Sequence, residues 1–280
     1  MEHRILNNLK IGVKTASLIA FWSLILGGST AQAQGTRGNG KPAAGSNKTG
    51  ISPSLERQFK RDAARLALRV TMEKGEDARY LPVIIPRDNV ASLYKALIAI
   101  YNSDETAKSI ARCNVHTYPN PSIDHLVIIY KRNVEWAGML RQGVTETTSP
   151  AFNKLLEQYD LVIEKHVQWN ETLDAVTIRS KELLNMAALA SKFDDIAGVV
   201  QIDLGLPKVA GNDIKVRRVQ DGWEFDFISQ FGGAGSNKQH VWRYKALYNG
   251  QASFVKEWGD PIPAWMRCSM DNQPVIATNR

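Results

Sequence analysis

The chain has 280 residues, 44% of them hydrophobic and 22% charged, with a formal excess of +7. That balance belongs to a globular protein with a buried core and excludes a disordered or fibrous chain. The basic excess is spread through mixed signs and forms no stripe, so nucleic acid is not an expected partner.

Met1 to Lys14 carries Arg4, Lys10 and Lys14, then comes an apolar run from Leu18 to Leu26, then Ala31-Gln32-Ala33. A basic start, a short apolar middle and small residues at the cleavage positions predict a secretory signal over residues 1–33. The run is well short of the roughly 20 residues that cross a bilayer, so no integral span is expected after cleavage. The expected location is secreted or periplasmic. Residues 34–52, rich in Gly, Ser and Asn, read as a flexible leader ahead of a folded region over 53–280. Cleavage removes three basic and one acidic side chain and leaves an excess of about +5, which tolerates an anionic envelope polymer.

Ser52-Pro53 opens a helix in which Leu55, Phe59, Ala63, Leu66 and Val70 form an apolar stripe, and Gly75 stops it. Arg57, Lys60, Arg61, Arg65 and Arg69 gather on another side, read as a solvated face. "RYLPVII" reads as an edge or kinked strand at Pro82. A second helix after Pro86 turns Val90, Leu93, Leu97 and Ile100 inward, and a short helix runs from Asp104 to Ala111. "NVHTYP" and "SIDHLVIIYK" follow as strands, the latter apolar on both sides and hence interior. Beyond a poorly patterned stretch comes a short helix over residues 150–158, then the strands "YDLVIEKHVQW" and "TLDAVTIRS". Ser180 is read as the cap of a helix bearing Met186, Leu189, Phe193 and Ile196, with Gly198 at its end and "VVQIDLGLP" as the next strand. "NVASL" and "NMAAL" hold similar positions in their helices, which raises a strand-helix-strand-strand repeat over about 79–131 and 173–230.

The C-terminal part has two hairpin signals. Asp221-Gly222 as a two-residue loop sets Arg218 against Phe225 and Val216 against Phe227, and gathers Trp223, Phe225 and Phe227 on one face. In "WRYKALYNGQASFVKEW" a three-residue loop ending at Gly250 pairs Trp242 with Lys256, Tyr244 with Phe254 and Ala246 with Ala252. Trp242, Tyr244, Phe254 and Trp258 then share a face. Water contact over such a face costs several kcal/mol, so a covering helix or sheet is expected; a ligand platform built from these four rings is the alternative. The fold class that results is α+β, with helices packed on mixed or antiparallel sheet and C-terminal antiparallel hairpins.

Chemistry is sparse. Cys113 and His116 have a zinc-like spacing with His125 nearby, but no second ligand pair follows, so no metal site and no cofactor are predicted. His166 and His240 have no partner visible in the sequence. Cys113 and Cys268 can close one disulfide in an oxidising compartment; two buried free thiols fit equally well. There is no nucleophile elbow, H-E-x-x-H or calcium loop, and "FGGAGSNK" reads as a hairpin connector. The signal, the Gly-rich leader and "HVWRYKALYNGQASFVKEWGDPIP" together resemble uncharacterised exported proteins of bacteria, a resemblance that covers under half the chain and implies no activity or site residue. The functional expectation is a non-catalytic binding protein of the periplasm or cell surface, with an envelope polymer or protein as partner. Two other classes stay open: a hydrolase whose site unites a histidine with a carboxylate or hydroxyl in a concave pocket, and a self-associating envelope component.

Overall fold

The computed structural model of the chain describes residues 50–73, 75–206, 211–232 and 236–263. The signal and most of the leader predicted above lie outside them, as does Cys268.

Helix α1 spans Pro53–Met72 and is capped as its sequence predicts, with the Leu55 N–H donating to Ser52 Oγ. Gly75, at φ +85°, follows its end. Helices α2 (Arg87–Tyr101) and α3 (Glu105–Arg112, capped by Asp104) come next; of the expected α2 stripe Leu93, Leu97 and Ile100 are buried and Val90 is half-buried. After strand β1 (His125–Lys131) come the short helices α4 (Gly138–Arg141) and α5 (Pro150–Gln158), then the hairpin β2 (Leu161–Gln168) and β3 (Leu173–Ser180). Helix α6 (Met186–Phe193) leads to β4 (Val199–Asp203). The meander β5 (Asp213–Val219), β6 (Gly222–Phe231), β7 (Lys238–Leu247) and β8 (Ala252–Gly259) closes the described chain.

The strands form two four-stranded sheets, ordered β2-β3-β1-β4 and β5-β6-β7-β8, and every pairing is antiparallel. The class is α+β. Strand β1 is interior, between β3 and β4, which is why "HLVII" can be apolar on both sides. Helices α1 to α3 cover one face of the C-terminal sheet in a core built on Phe59, Leu66, Leu97, Trp223, Phe225 and Tyr244. Helices α4 to α6 cover the other sheet, around Tyr130, Trp136, Phe152, Leu189 and Phe193.

Several expectations need correction. "RYLPVII" is a 3-10 turn at Ala78–Tyr80 followed by a strap with a single bridge, Ile84 to Leu184. Pro82 has no N–H to give a ladder, and Asn185 takes the strap's carbonyls: its Nδ2 donates to Ala78 O at 2.7 Å and its N–H to Val83 O at 2.8 Å. Asn185, rather than Ser180, also caps α6, accepting from the Ala188 N–H. The segments 79–131 and 173–230 therefore do not correspond element for element.

"NVHTYP" is a loop because α1 occupies its polar groups. Arg69 reaches the carbonyls of Tyr118, Asn120 and Ile214 and pairs with Asp213 at 2.8 Å; Arg65 reaches Pro121 O and Thr117 Oγ1. The basic side of α1 is thus partly interior, since Arg65 is buried. Burial lowers its pKa to about 10, which leaves it charged at neutral pH.

The first hairpin keeps the predicted faces but shifts its pairs. Val219 closes against Gly222, so Val216 meets Phe225 and Ile214 meets Phe227 around a Gln220-Asp221 turn. Gly222 serves in the strand: a Cβ there would run into the Ala246 carbonyl of β7. The second hairpin has the expected three-residue loop, with Gly250 at φ +90° and Tyr244 opposite Phe254. An additional bulge at Val255 then moves Lys256 to Arg243, Glu257 to Trp242 and Trp258 to Val241. Trp258 lands on the face opposite Trp242.

Candidate functional site

The four rings named as a ligand surface separate into two pairs. Trp242 and Tyr244 are buried at 6% and 0% exposure beneath the helical layer and form scaffold. Phe254 and Trp258 lie on the edge strand β8 at 44% and 39% exposure. Phe254 meets Tyr244 edge to face at 5.5 Å, whereas Trp258 lies on the outer face with the Arg243 guanidinium at 5.0 Å and the Lys256 ammonium at 5.1 Å. No shared platform results.

Concavity occurs on either side of α2. The first cavity, about 500 Å³, lies between α1, α2, the end of α5 and residues 182–184. Ala64, Ile85, Val90, Leu183 and Leu184 give it apolar walls, and Lys60, Arg87, Glu157, Asp160 and Glu182 give it charge. Lys60 is held by Glu56 at 2.8 Å and sits 5.9 Å from the Tyr94 ring centre. Burial, then the charge of Glu56, pushes the Tyr94 phenol up, so it is a neutral hydrogen-bonding group in the wall. Asp160 is taken by Lys181 at 2.7 Å, while Arg87, Glu157 and Glu182 have no side-chain ion pair or hydrogen bond among the described residues.

The second cavity, about 520 Å³, is bounded by Asp88, Ala91, Ser92, Lys95 and Ala96 of α2 on one side. Trp223 and the β7–β8 turn from Leu247 to Gly250 form the other. The Trp223 indole N–H donates to Ser92 Oγ at 3.0 Å, which fixes the sheet against the helix. Trp223 contacts Tyr248 edge to face, with 6.3 Å between centres and 85° between planes. Ala91 lines both cavities, so one helical turn of α2 divides them.

The histidines lie elsewhere. His116 Nδ1 and Asp62 Oδ2 are 2.7 Å apart inside the α1 clamp, and since a carboxylate only accepts, the hydrogen sits on Nδ1. His125 bonds Asp124 at 2.9 Å, and His240 Nδ1 meets the Asp260 carbonyl at 2.9 Å. Under the first sheet, Asp174 faces His166 at 3.6 Å, Arg141 at 3.6 Å and Arg132 at 3.8 Å. Both oxygens of Asp174, His166 Nε2 and the Tyr130 hydroxyl are buried there without a hydrogen bond. Neither large cavity is lined by a histidine. Among the described residues no group of three or more His, Cys, Asp or Glu is placed to hold a metal ion, and no cysteine is free. The predicted Cys113–Cys268 pairing involves a residue outside the described ones.

The sequence reading passed over the residues that line the cavity walls. Asp88, Ser92 and Lys95 recur at helical spacing away from the Val90, Leu93 and Leu97 stripe, and that polar row was a usable signal. Tyr248 was hidden as a turn residue.

The described residues form an α+β scaffold in which the cavities of about 500 and 520 Å³ lie on either side of α2. Comparison with protein-family models, curated proteins and solved structures yields no match to this chain.

Proposed function

We propose that this chain is an exported, non-catalytic binding protein that recognises its ligand along α2. The supporting observation is the first cavity: about 500 Å³, with apolar walls and a few polar groups, the size and character of a small-molecule site. Its walls suit an amphipathic ligand that buries an apolar body against Val90, Leu183 and Leu184 and presents polar ends to Arg87, Glu157 and Glu182. Export rests on the signal pattern over residues 1–33, and an envelope location accounts for a binding protein without a catalytic motif.

The test is a titration of the purified mature chain with a solvatochromic apolar dye and with medium-chain fatty acids, followed by fluorescence and calorimetry. Saturable binding is expected, weakened at least tenfold by Val90→Trp and by Leu183→Trp, which fill the cavity. Absence of saturable binding, or binding indifferent to both substitutions, overturns the reading.

A further inference from the structure

We propose that the second cavity is a subsite for a neutral saccharide, with Tyr248 as its stacking platform. This rests on the reading of the chain as a binding protein but uses a different wall of α2.

A pyranose ring offers an apolar face of C–H groups and a rim of hydroxyls that both donate and accept. It therefore calls for one open aromatic face and a set of mixed donors and acceptors around it. The cavity provides both. Tyr248 is 55% exposed, and Trp223 meets it edge to face, a contact that takes up one ring face at most. Trp223, only 1% exposed, is locked by its bond to Ser92 and by the Arg218 guanidinium 4.9 Å from its ring centre, so Tyr248 stands against a fixed support. A platform on a rigid base loses less freedom on binding.

The polar groups are complementary to hydroxyls. Asp88 only accepts and Lys95 only donates, and neither has an ion pair or side-chain hydrogen bond among the described residues. They are two helical turns apart, about 10 Å along α2, too far to neutralise one another directly. Asn249 borders the same space, with its Oδ1 accepting from the Gln251 N–H at 3.0 Å and its Nδ2 on Gln251 Oε1 at 3.3 Å. The wall's formal charge cancels between Asp88 and Lys95, which favours a neutral ligand over an anionic polymer. A volume of about 520 Å³ admits one or two sugar rings.

The experiment titrates the full mature chain with maltose, cellobiose, chitobiose and glucuronic acid, followed by calorimetry and by tryptophan fluorescence. At least one neutral disaccharide is expected to bind, with affinity reduced about tenfold or more by Tyr248→Ala and by Asp88→Ala and kept within about twofold by Tyr248→Phe. Urea midpoints of the variants verify that each is folded. Failure of every neutral sugar to bind, equal binding by Tyr248→Ala, or preference for glucuronic acid overturns the proposal. Val90→Trp tells the two sites apart: it should abolish dye binding in the first cavity and leave sugar binding unchanged, so either site can fail while the other stands.

Discussion

Tyr244 of β7 donates its phenolic hydrogen to Asp104 Oδ1 at 3.0 Å, and the same oxygen accepts the Ala107 N–H at 2.8 Å as the cap of α3. One carboxylate oxygen thus fastens the helical layer to the sheet. Burial, then the bond to Asp104, raises the Tyr244 pKa, so the phenol remains a neutral donor. Tyr244→Phe retains the ring contacts with Phe227 and Phe254 and removes only the hydrogen bond. The expected loss is about 1.5 to 3 kcal/mol of unfolding free energy, the range for a bond to a charged group, read from urea denaturation. An unchanged midpoint would show that the bond contributes nothing.

The second prediction concerns the clamp between α1 and residues 116–121. Asp62 is fully buried; its Oδ1 accepts from the Thr117 N–H at 3.0 Å and hydroxyl at 2.7 Å, and its Oδ2 faces His116. Thr117 Oγ1 in turn accepts from Arg65 at 2.7 Å. Asp62→Ala leaves the buried Thr117 N–H and the His116 ring N–H without their acceptor and removes the carboxylate charge that offsets the buried Arg65 guanidinium, at a cost of about 3 to 5 kcal/mol. The double variant Asp62→Ala, Arg65→Met should recover part of that loss, because it removes the stranded charge. A double-mutant cycle on unfolding free energies measures the coupling; additive losses would show that the two residues act separately.

These two contacts also mark where sequence reasoning reaches and where it stops. The helix over 53–72 was legible because its cap, stripe and stop residues all lie within one element, and that over 87–101 because its stripe follows Pro86 directly. "RYLPVII" and "NVHTYP" have strand composition, yet the carbonyls of Val83, Thr117 and Tyr118 go to Asn185, Arg65 and Arg69, more than forty positions away, and no local pattern announces such partners. The hairpin registers failed for a similar reason. Gly222 was read as a turn residue because of Asp221, whereas it is required by the close approach of Ala246 from β7. The bulge at Val255 leaves no compositional mark, and it alone moved Trp258 to the outer face. Of the site, the polar row of α2 was visible in the sequence, but its meeting with the β7–β8 turn is a tertiary fact.

Acid should weaken the fold through Asp124. Burial opposes its ionised form, but the hydrogen bond from His125 and the charge of Arg61, 2.6 Å away, prevail and hold its pKa at about 2 against an ordinary 3.8. A depressed carboxylate stabilises the fold above its unfolded pKa, and that contribution is lost as pH falls through the folded value. The difference corresponds to about 2 kcal/mol, present at pH 5 and gone below about pH 2. Unfolding free energies of the parent and Asp124→Asn should therefore differ at pH 5 and converge on acidification. A gap that stays constant with pH would exclude Asp124 as the titrating group.

The two tryptophans of the last hairpin should respond unequally to truncation. Trp242 is 6% exposed within the core under α1 to α3, so Trp242→Ala removes a large buried ring and should cost about 3 to 5 kcal/mol. Trp258 lies on the other face of an edge strand, and its contacts with Arg243 and Lys256 are cation–π pairs worth about 0.5 to 1 kcal/mol each at exposed sites. Trp258→Ala should therefore lower stability by no more than about 2 kcal/mol, with most of that loss vanishing when Arg243 and Lys256 are also removed. Urea denaturation of the two variants side by side distinguishes them. Equal losses would mean that Trp258 is covered as deeply as Trp242, which would contradict the register imposed by the bulge at Val255.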